Sequence, residues 1–218
     1  MITARNTILK LTALETTKPM NVEIIAEKEV ASVKWEVKEN GENMPVLASG
    51  KENSNAERVS FDVVVTEPKA WSVEAPNLYV VTVKITFADG EVEEVTDRVG
   101  YRYFAADENN LYLNGFPFYM RGYIRGIPAH DHANNCNLEE REFYKKNILA
   151  AKSYGFNTIR FHSTIPPRAC FDVADELGIL IHIEMRIQND NYDNLEEMLY
   201  DKTSEAYRKI RKQTERIK

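Results

Sequence analysis

Arg160, His162 and Glu184 stand where chemistry is often done, at the ends of the short apolar runs Asn157–His162 and Ile179–Glu184. An arginine carries a rigid fork of donors suited to planar pairs of oxygen atoms, a histidine titrates near neutrality, and a carboxylate orients both. Tyr123 and Arg125, just past the run Phe116–Gly122, add a stacking face and a hydroxyl donor. Each has a plainer reading beside the functional one: a structural ion pair for Arg160, a partly buried histidine for His162, an ordinary strand-end carboxylate for Glu184, and loop packing for Tyr123 and Arg125. His130, Asp131, His132 and Cys136 offer groups that zinc favours. Their spacing matches no standard zinc motif and no second ligand cluster supports them, so a polar loop is expected, with no metal and no cofactor. Cys170 falls on an apolar helix stripe and reads as core.

The elements that must position these residues change character along the chain. Between about residues 6 and 104 the pattern has period two, as in strands with one face on a core. Val33, Trp35 and Val37 alternate with Lys34 and Glu36; Val59, Phe61, Val63 and Val65 share a face; Tyr79 to Phe87 extends the rule, and Asp89-Gly90 follows as a hairpin signal. Asn40-Gly41 and Ser49-Gly50 mark further turns. Some six or seven short strands with no helical period predict an all-β immunoglobulin-like sandwich over residues 1–105.

After the polar stretch Ala105–Asn110 the text alternates strand and helix, giving a second domain over residues 111–218. Phe116–Gly122 reads as a strand. Asn137 and Glu140 form an N-cap and N3 pair opening a helix with Tyr144, Ile148 and Ala151 on one face, and Gly155 closes it. Asn157–His162 is the next strand. Pro166 and Pro167 open a second helix with Cys170, Ala174 and Leu177 inward, Gly178 ends it, and Ile179–Glu184 is a third strand. The order β-α-β-α-β with short connections predicts parallel strands. The spacing fits a (β/α)8 barrel and a doubly wound sheet equally; in both, ligands meet the carboxyl ends of the strands. The segment 194–218 is charged and helical in pattern, with Tyr207, Ile210 and Ile217 as a thin stripe.

Composition narrows the partners. Apolar residues make up 43% and charged residues 28% of the 218 residues, ordinary for a soluble globular chain. A net charge of -6 with no basic block argues against nucleic acid. Nothing approaches the roughly 18 apolar residues of a membrane span, and the run after Met1 is broken at Arg5, Asn6 and Lys10, unlike a signal peptide. Two cysteines do not fix a redox compartment, so localisation stays open.

Several blocks together resemble glycoside hydrolase family 2. They are the stretch Trp71-Ser-Val-Glu-Ala-Pro-Asn-Leu-Tyr79, the triplets Gly100-Tyr-Arg102, Leu113-Asn-Gly115 and Met120-Arg-Gly122, and above all Ala151-Lys-Ser-Tyr-Gly-Phe-Asn-Thr-Ile-Arg-Phe-His162, continuing to Phe171–Gly178 and Ile183-Glu184. The resemblance implies a sandwich running into the first part of a TIM barrel, with a sugar site at the carboxyl ends of the strands. It also implies a glutamate acid/base, set in an Asn-Glu dipeptide after the fourth strand, and a glutamate nucleophile after the seventh. A retaining glycosidase protonates the leaving oxygen with one carboxyl and forms the glycosyl-enzyme with another roughly 5 to 5.5 Å away.

Only three barrel strands are legible and no Asn-Glu dipeptide occurs, so the chain is expected to carry neither catalytic residue and to be inactive alone. Where many members read Arg-x-Ser-His, this chain reads Arg160-Phe-His162-Ser163; where many read Asp-Glu, it reads Ile183-Glu184. The expected sugar contacts are Arg160, His162, Glu184, Tyr123 and Arg125, gathered round one hollow. A non-catalytic carbohydrate-binding or interaction module is the alternative. Three parallel strands leave open edges, so self-association is expected as well.

Overall fold

The computed structural model describes residues 6–125 and 138–184, with the backbone of Ile2–Thr3. The chain divides into two compact units, Met1–Tyr119 and Met120–Lys218.

The first unit is built on β1 (Ile2–Thr3), β2 (Thr7–Thr12), β3 (Met20–Glu39), β4 (Val46–Val63), β5 (Tyr79–Phe87) and β6 (Val92–Val99), all antiparallel. β3 organises it. One edge pairs with β4 along nearly its whole length; the other pairs with β2 through Asn21–Ala26 and with β5 through Val30–Glu39. The register slips between Ile25 and Val30, so the ladder bends where it changes partner, as bulges do. Inward residues of both halves, among them Leu9, Val22, Ile24, Val33, Val83 and Ile85, join one apolar core. The result is a sandwich-like β domain.

The strands are longer than the sequence pattern suggests. Ser49-Gly50, read as a turn, lies inside β4. Gly50 faces Trp35 across the ladder, and a Cβ there would land in the indole. The glycine makes room rather than a turn. Asp89-Gly90 does turn between β5 and β6, with Gly90 at φ 86° and its N–H bonded to the Phe87 carbonyl at 3.0 Å.

A small meander ends this unit: β7 (Phe104–Ala106), β8 (Leu111–Leu113) and β9 (Phe116–Pro117). The polar stretch read as a domain boundary is therefore a hairpin, closed by Asp107 accepting the N–H groups of Asn109 and Asn110. Asn114-Gly115 makes the second turn, both with positive φ, as two-residue hairpins require. Asn114 also donates to the Trp71 carbonyl at 2.9 Å and accepts from the Tyr103 N–H at 3.1 Å. Trp71 is fully buried, with the Arg102 guanidinium 4.5 Å from its ring centroid and Gly100 against its Cβ. The separate blocks Trp71, Gly100-Tyr-Arg102 and Leu113-Asn-Gly115 are thus one packed cluster.

The second unit holds β10 (Gly122–Arg125), α1 (Leu138–Ser153), β11 (Thr158–Phe161), α2 (Arg168–Leu177) and β12 (Leu180–Ile183). The strands are parallel in the order β10-β11-β12. Tyr144, Ile148 and Ala151 of α1 and Ala169, Cys170, Val173 and Ala174 of α2 bury against Ile159 and Phe161. Gly155 (φ 80°) and Gly178 (φ 73°) reverse the chain after each helix, the left-handed stop the sequence calls for. Asn157, buried, ties the three strand starts together. Its side-chain oxygen accepts the Arg121 N–H at 2.8 Å, its N–H reaches the Arg121 carbonyl, and its carbonyl accepts the Leu180 N–H.

The first parallel strand begins at Gly122 rather than ending there. Phe116-Pro117 is taken by the meander, and Gly122 lies so close to Thr158 that a Cβ would stand 2.8 Å from the Thr158 carbonyl oxygen. Asn137, His130, Asp131, His132, Cys136 and the segment 194–218 lie outside the described residues.

Candidate functional site

Adjacent residues of a strand face opposite sides of its sheet, so register decides which side chains can meet. Ile124, Arg160 and His182 are register partners on one face; Tyr123, Ile159 and Ile181 are partners on the other. The second face carries the helices. The first carries polar groups at its carboxyl end.

There Glu184, directly after β12, accepts three hydrogen bonds on a single oxygen, Oε2. Arg160 Nη2 donates at 2.7 Å, the Ser163 backbone N–H at 3.2 Å, and His162 Nδ1 lies at 3.0 Å. The Ser163 N–H first and His162 next hold the Glu184 carboxyl below the usual glutamate range; desolvation opposes them, and the positive charge of Arg160 adds a smaller lowering. Arg160 and Glu184 are about one-third exposed and His162 more so, which leaves the group open to a ligand. His162 starts a turn whose first N–H is bonded to the Arg125 carbonyl at 2.9 Å, so the β10–β11 ladder runs to the edge of the site. Arg160, His162 and Glu184 therefore meet as the sequence suggests.

Tyr123 and Arg125 do not join them. Because β10 starts at Gly122, both residues lie within the strand and point to the helix side. Tyr123 packs 5.3 Å from the Phe156 ring, and the Arg125 guanidinium lies 5.0 Å from the Phe143 ring of α1. Gathering Tyr123 with Arg160, His162 and Glu184 is thus corrected by the strand boundary: a strand that begins at Gly122, instead of ending there, takes Tyr123 and Arg125 out of the loop past it and sets them on the helix face. The outward residue of β10 is Ile124, 63% exposed. His182 on β12 also faces out. Sequence reading passed over both, though period two from Arg160 would have found them. It also passed over the Ser163 N–H, which no side-chain pattern signals.

Cys170 lies on the buried face, and burial pushes its thiol up to about 12, which suits a core residue. Among the described residues no group of three or more His, Cys, Asp or Glu side chains is arranged to hold a metal ion.

Residues 3–102 match the sequence model described as Glycosyl hydrolases family 2. Over those residues the chain carries a segment of the family 2 glycosyl hydrolase type. A β-galactosidase of Photobacterium profundum is 31% identical over 153 residues, 66% of this chain and 14% of the relative. A putative β-glucuronidase of Formosa agariphila is 30% identical over 137 residues, covering 62% of this chain and 16% of the relative. The chain thus spans about a seventh of the length of these curated relatives. Among solved structures, a β-glucuronidase of Bacteroides uniformis superposes with a TM-score of 0.63 at 23% identity, over 84% of this chain and 23% of that one. A family 2 member from Bacteroides cellulosilyticus gives the same score over 86% of this chain and 26% of that one. At that identity the likeness speaks for the fold.

Proposed function

We propose that this family 2 segment belongs to a retaining β-glycosidase and supplies an immunoglobulin-like sandwich together with the first three strands of a (β/α)8 barrel. In this reading the outward face of β10, β11 and β12 is the barrel interior, and its carboxyl end is one wall of the sugar site. Arg160, His162 and Glu184 form that wall. A carboxylate held by three donors is a fixed acceptor for sugar hydroxyls, and Arg160 and His162 complete a rim of donors around it. The acid/base and the nucleophile come from outside the 218 residues. Tyr123 and Arg125 contribute by fixing β10 against the helices rather than by touching sugar.

The observation that carries this reading is the convergence of Arg160, His162 and the Ser163 N–H on Glu184 at the carboxyl ends of parallel strands. That end is where ligands bind in sheets of this kind. Relatives named β-galactosidase and putative β-glucuronidase make aryl β-galactosides and aryl β-glucuronides the substrates to assay. The isolated chain is expected to release no aglycone above a buffer control, and turnover that Glu184→Gln abolishes would place the catalytic groups inside the chain and overturn the reading.

The same reading has a physical corollary. Among the described residues β10 and β12 each pair along one edge only, which invites strand addition. Self-association is therefore expected, and a monodisperse monomer in light scattering would argue against it.

A further inference from the structure

Among the described residues, four that are not glycine have positive φ: Asn43, Glu67, Asn114 and Ser163. Asparagine tolerates the left-handed region, because its short polar side chain bonds locally, whereas serine carries a Cβ penalty there without that tolerance. Ser163, at φ 52°, sits in the turn after β11, beside the candidate site. The turn that this conformation closes presents the Ser163 N–H, which lies in the His162–Ser163 peptide plane, to Glu184 Oε2. The other two donors to that oxygen, Arg160 and His162, are rotatable side chains. The Ser163 N–H is backbone, and the residue before it is anchored by the bond from the His162 N–H to the Arg125 carbonyl.

We infer that Ser163 is a positioning residue: its backbone N–H, held in a turn that needs a left-handed residue at this place, and not its hydroxyl, fixes the Glu184 carboxylate between Arg160 and His162. The inference rests on the proposed sugar site for its purpose but not for its geometry. A backbone donor cannot follow a wandering side chain, so it selects one rotamer of Glu184 and holds Oε2 on the Arg160 side. The shift of the strand-end sequence to Arg160-Phe-His162-Ser163 thereby has a structural reading. Serine falls on the left-handed position and histidine on the one before it, where its ring reaches the same oxygen.

The test is the carboxyl 13C titration of Glu184 in the ligand-free 218-residue chain, assigned by the signal that Glu184→Gln removes. Ser163→Val, β-branched and disfavoured at positive φ, is expected to move the midpoint up toward about 4.3, the value of an unconstrained glutamate. Ser163→Gly and Ser163→Asn, which accept positive φ, are expected to keep the depressed midpoint. A wild-type midpoint in Ser163→Val, or a rise in Ser163→Gly as large as in Ser163→Val, overturns the inference, the latter because it would make the hydroxyl responsible. Should the valine variant fail to fold, the glycine and asparagine variants still decide: a raised midpoint in both overturns the proposal, and an unchanged one supports it. No sugar is present, so failure of the carbohydrate reading leaves this result standing.

Discussion

Glu23 in the first unit and Glu184 in the second are both carboxylates whose pKa is lowered, and they differ in a way that separates a surface from a site. Glu23 lies mid-strand on β3 and divides its partners, Arg58 Nε bonding Oε1 at 2.6 Å while Lys10 lies 3.4 Å from Oε2. Both partners come from neighbouring strands of one ladder, as cross-strand charge pairs do. Glu184 instead lies past the end of its strand and gathers two side chains and a backbone N–H on one oxygen. Cross-strand pairing satisfies charges that the ladder already places together; convergence at strand ends needs a turn built for it. The number of charges is similar in the two places. Their geometry is what differs.

The largest expected effect tests the cores behind the comparison. Trp71→Ala removes the fully buried indole on which the Arg102 guanidinium lies, and should cost about 3–5 kcal/mol in urea unfolding of the first unit. A loss under half of that would mean the cluster does not organise the unit. Next, Asn157→Ala leaves the Arg121 N–H without its side-chain acceptor and should cost about 1–3 kcal/mol. Hydrogen exchange should quicken at Arg121 and Leu180 and stay unchanged in β5; uniform quickening would contradict the local role.

Gly50→Val, pressed against Trp35, is expected to destabilise the first unit by about 1–3 kcal/mol through overpacking. Gly90→Val is its control, since nothing lies near that Cβ and only the positive φ opposes it. Equal melting profiles for Gly50→Val and wild type would restore the turn reading of Ser49-Gly50.

The smallest effect concerns acid. Both Glu23 and Glu184 have a folded pKa below the unfolded value, so each contributes stability above about pH 4.3 that is lost as pH falls through the folded pKa. Glu23→Gln and Glu184→Gln should each flatten the acid limb of stability against pH, slightly, because both carboxylates face water. Steepening by either substitution would reverse the sign and sink the assignment.

Much of this was legible in the sequence because burial writes itself as periodicity. Val33, Val37, Tyr144, Ile148 and Cys170 all point where their spacing places them. Gly155 and Gly178 end the helices because no other residue reaches positive φ so cheaply. What periodicity does not carry is phase at a boundary. β10 is four residues long, and its start depends on how closely Gly122 can approach Thr158, a tertiary fact. Ending the strand at Gly122, where it in fact begins, put Tyr123 and Arg125 in the loop past it instead of on the helix face. The meander was hidden for the same reason, since strands of two or three residues show no period at all. Arg160, His162 and Glu184 were found because both runs end at the same height in the sheet, His182 pairing with Arg160.

The division of the parallel sheet into a ligand face and a helix face is the claim on which the rest depends, and side-chain NMR during titration with galactose or glucuronate tests it most directly. Signals of Arg160, His162 and Glu184 are expected to shift saturably while those of Tyr123 and Arg125 stay fixed. Shifts at Tyr123 and Arg125 with none at Glu184, or no saturable shift at any of the five, would contradict it.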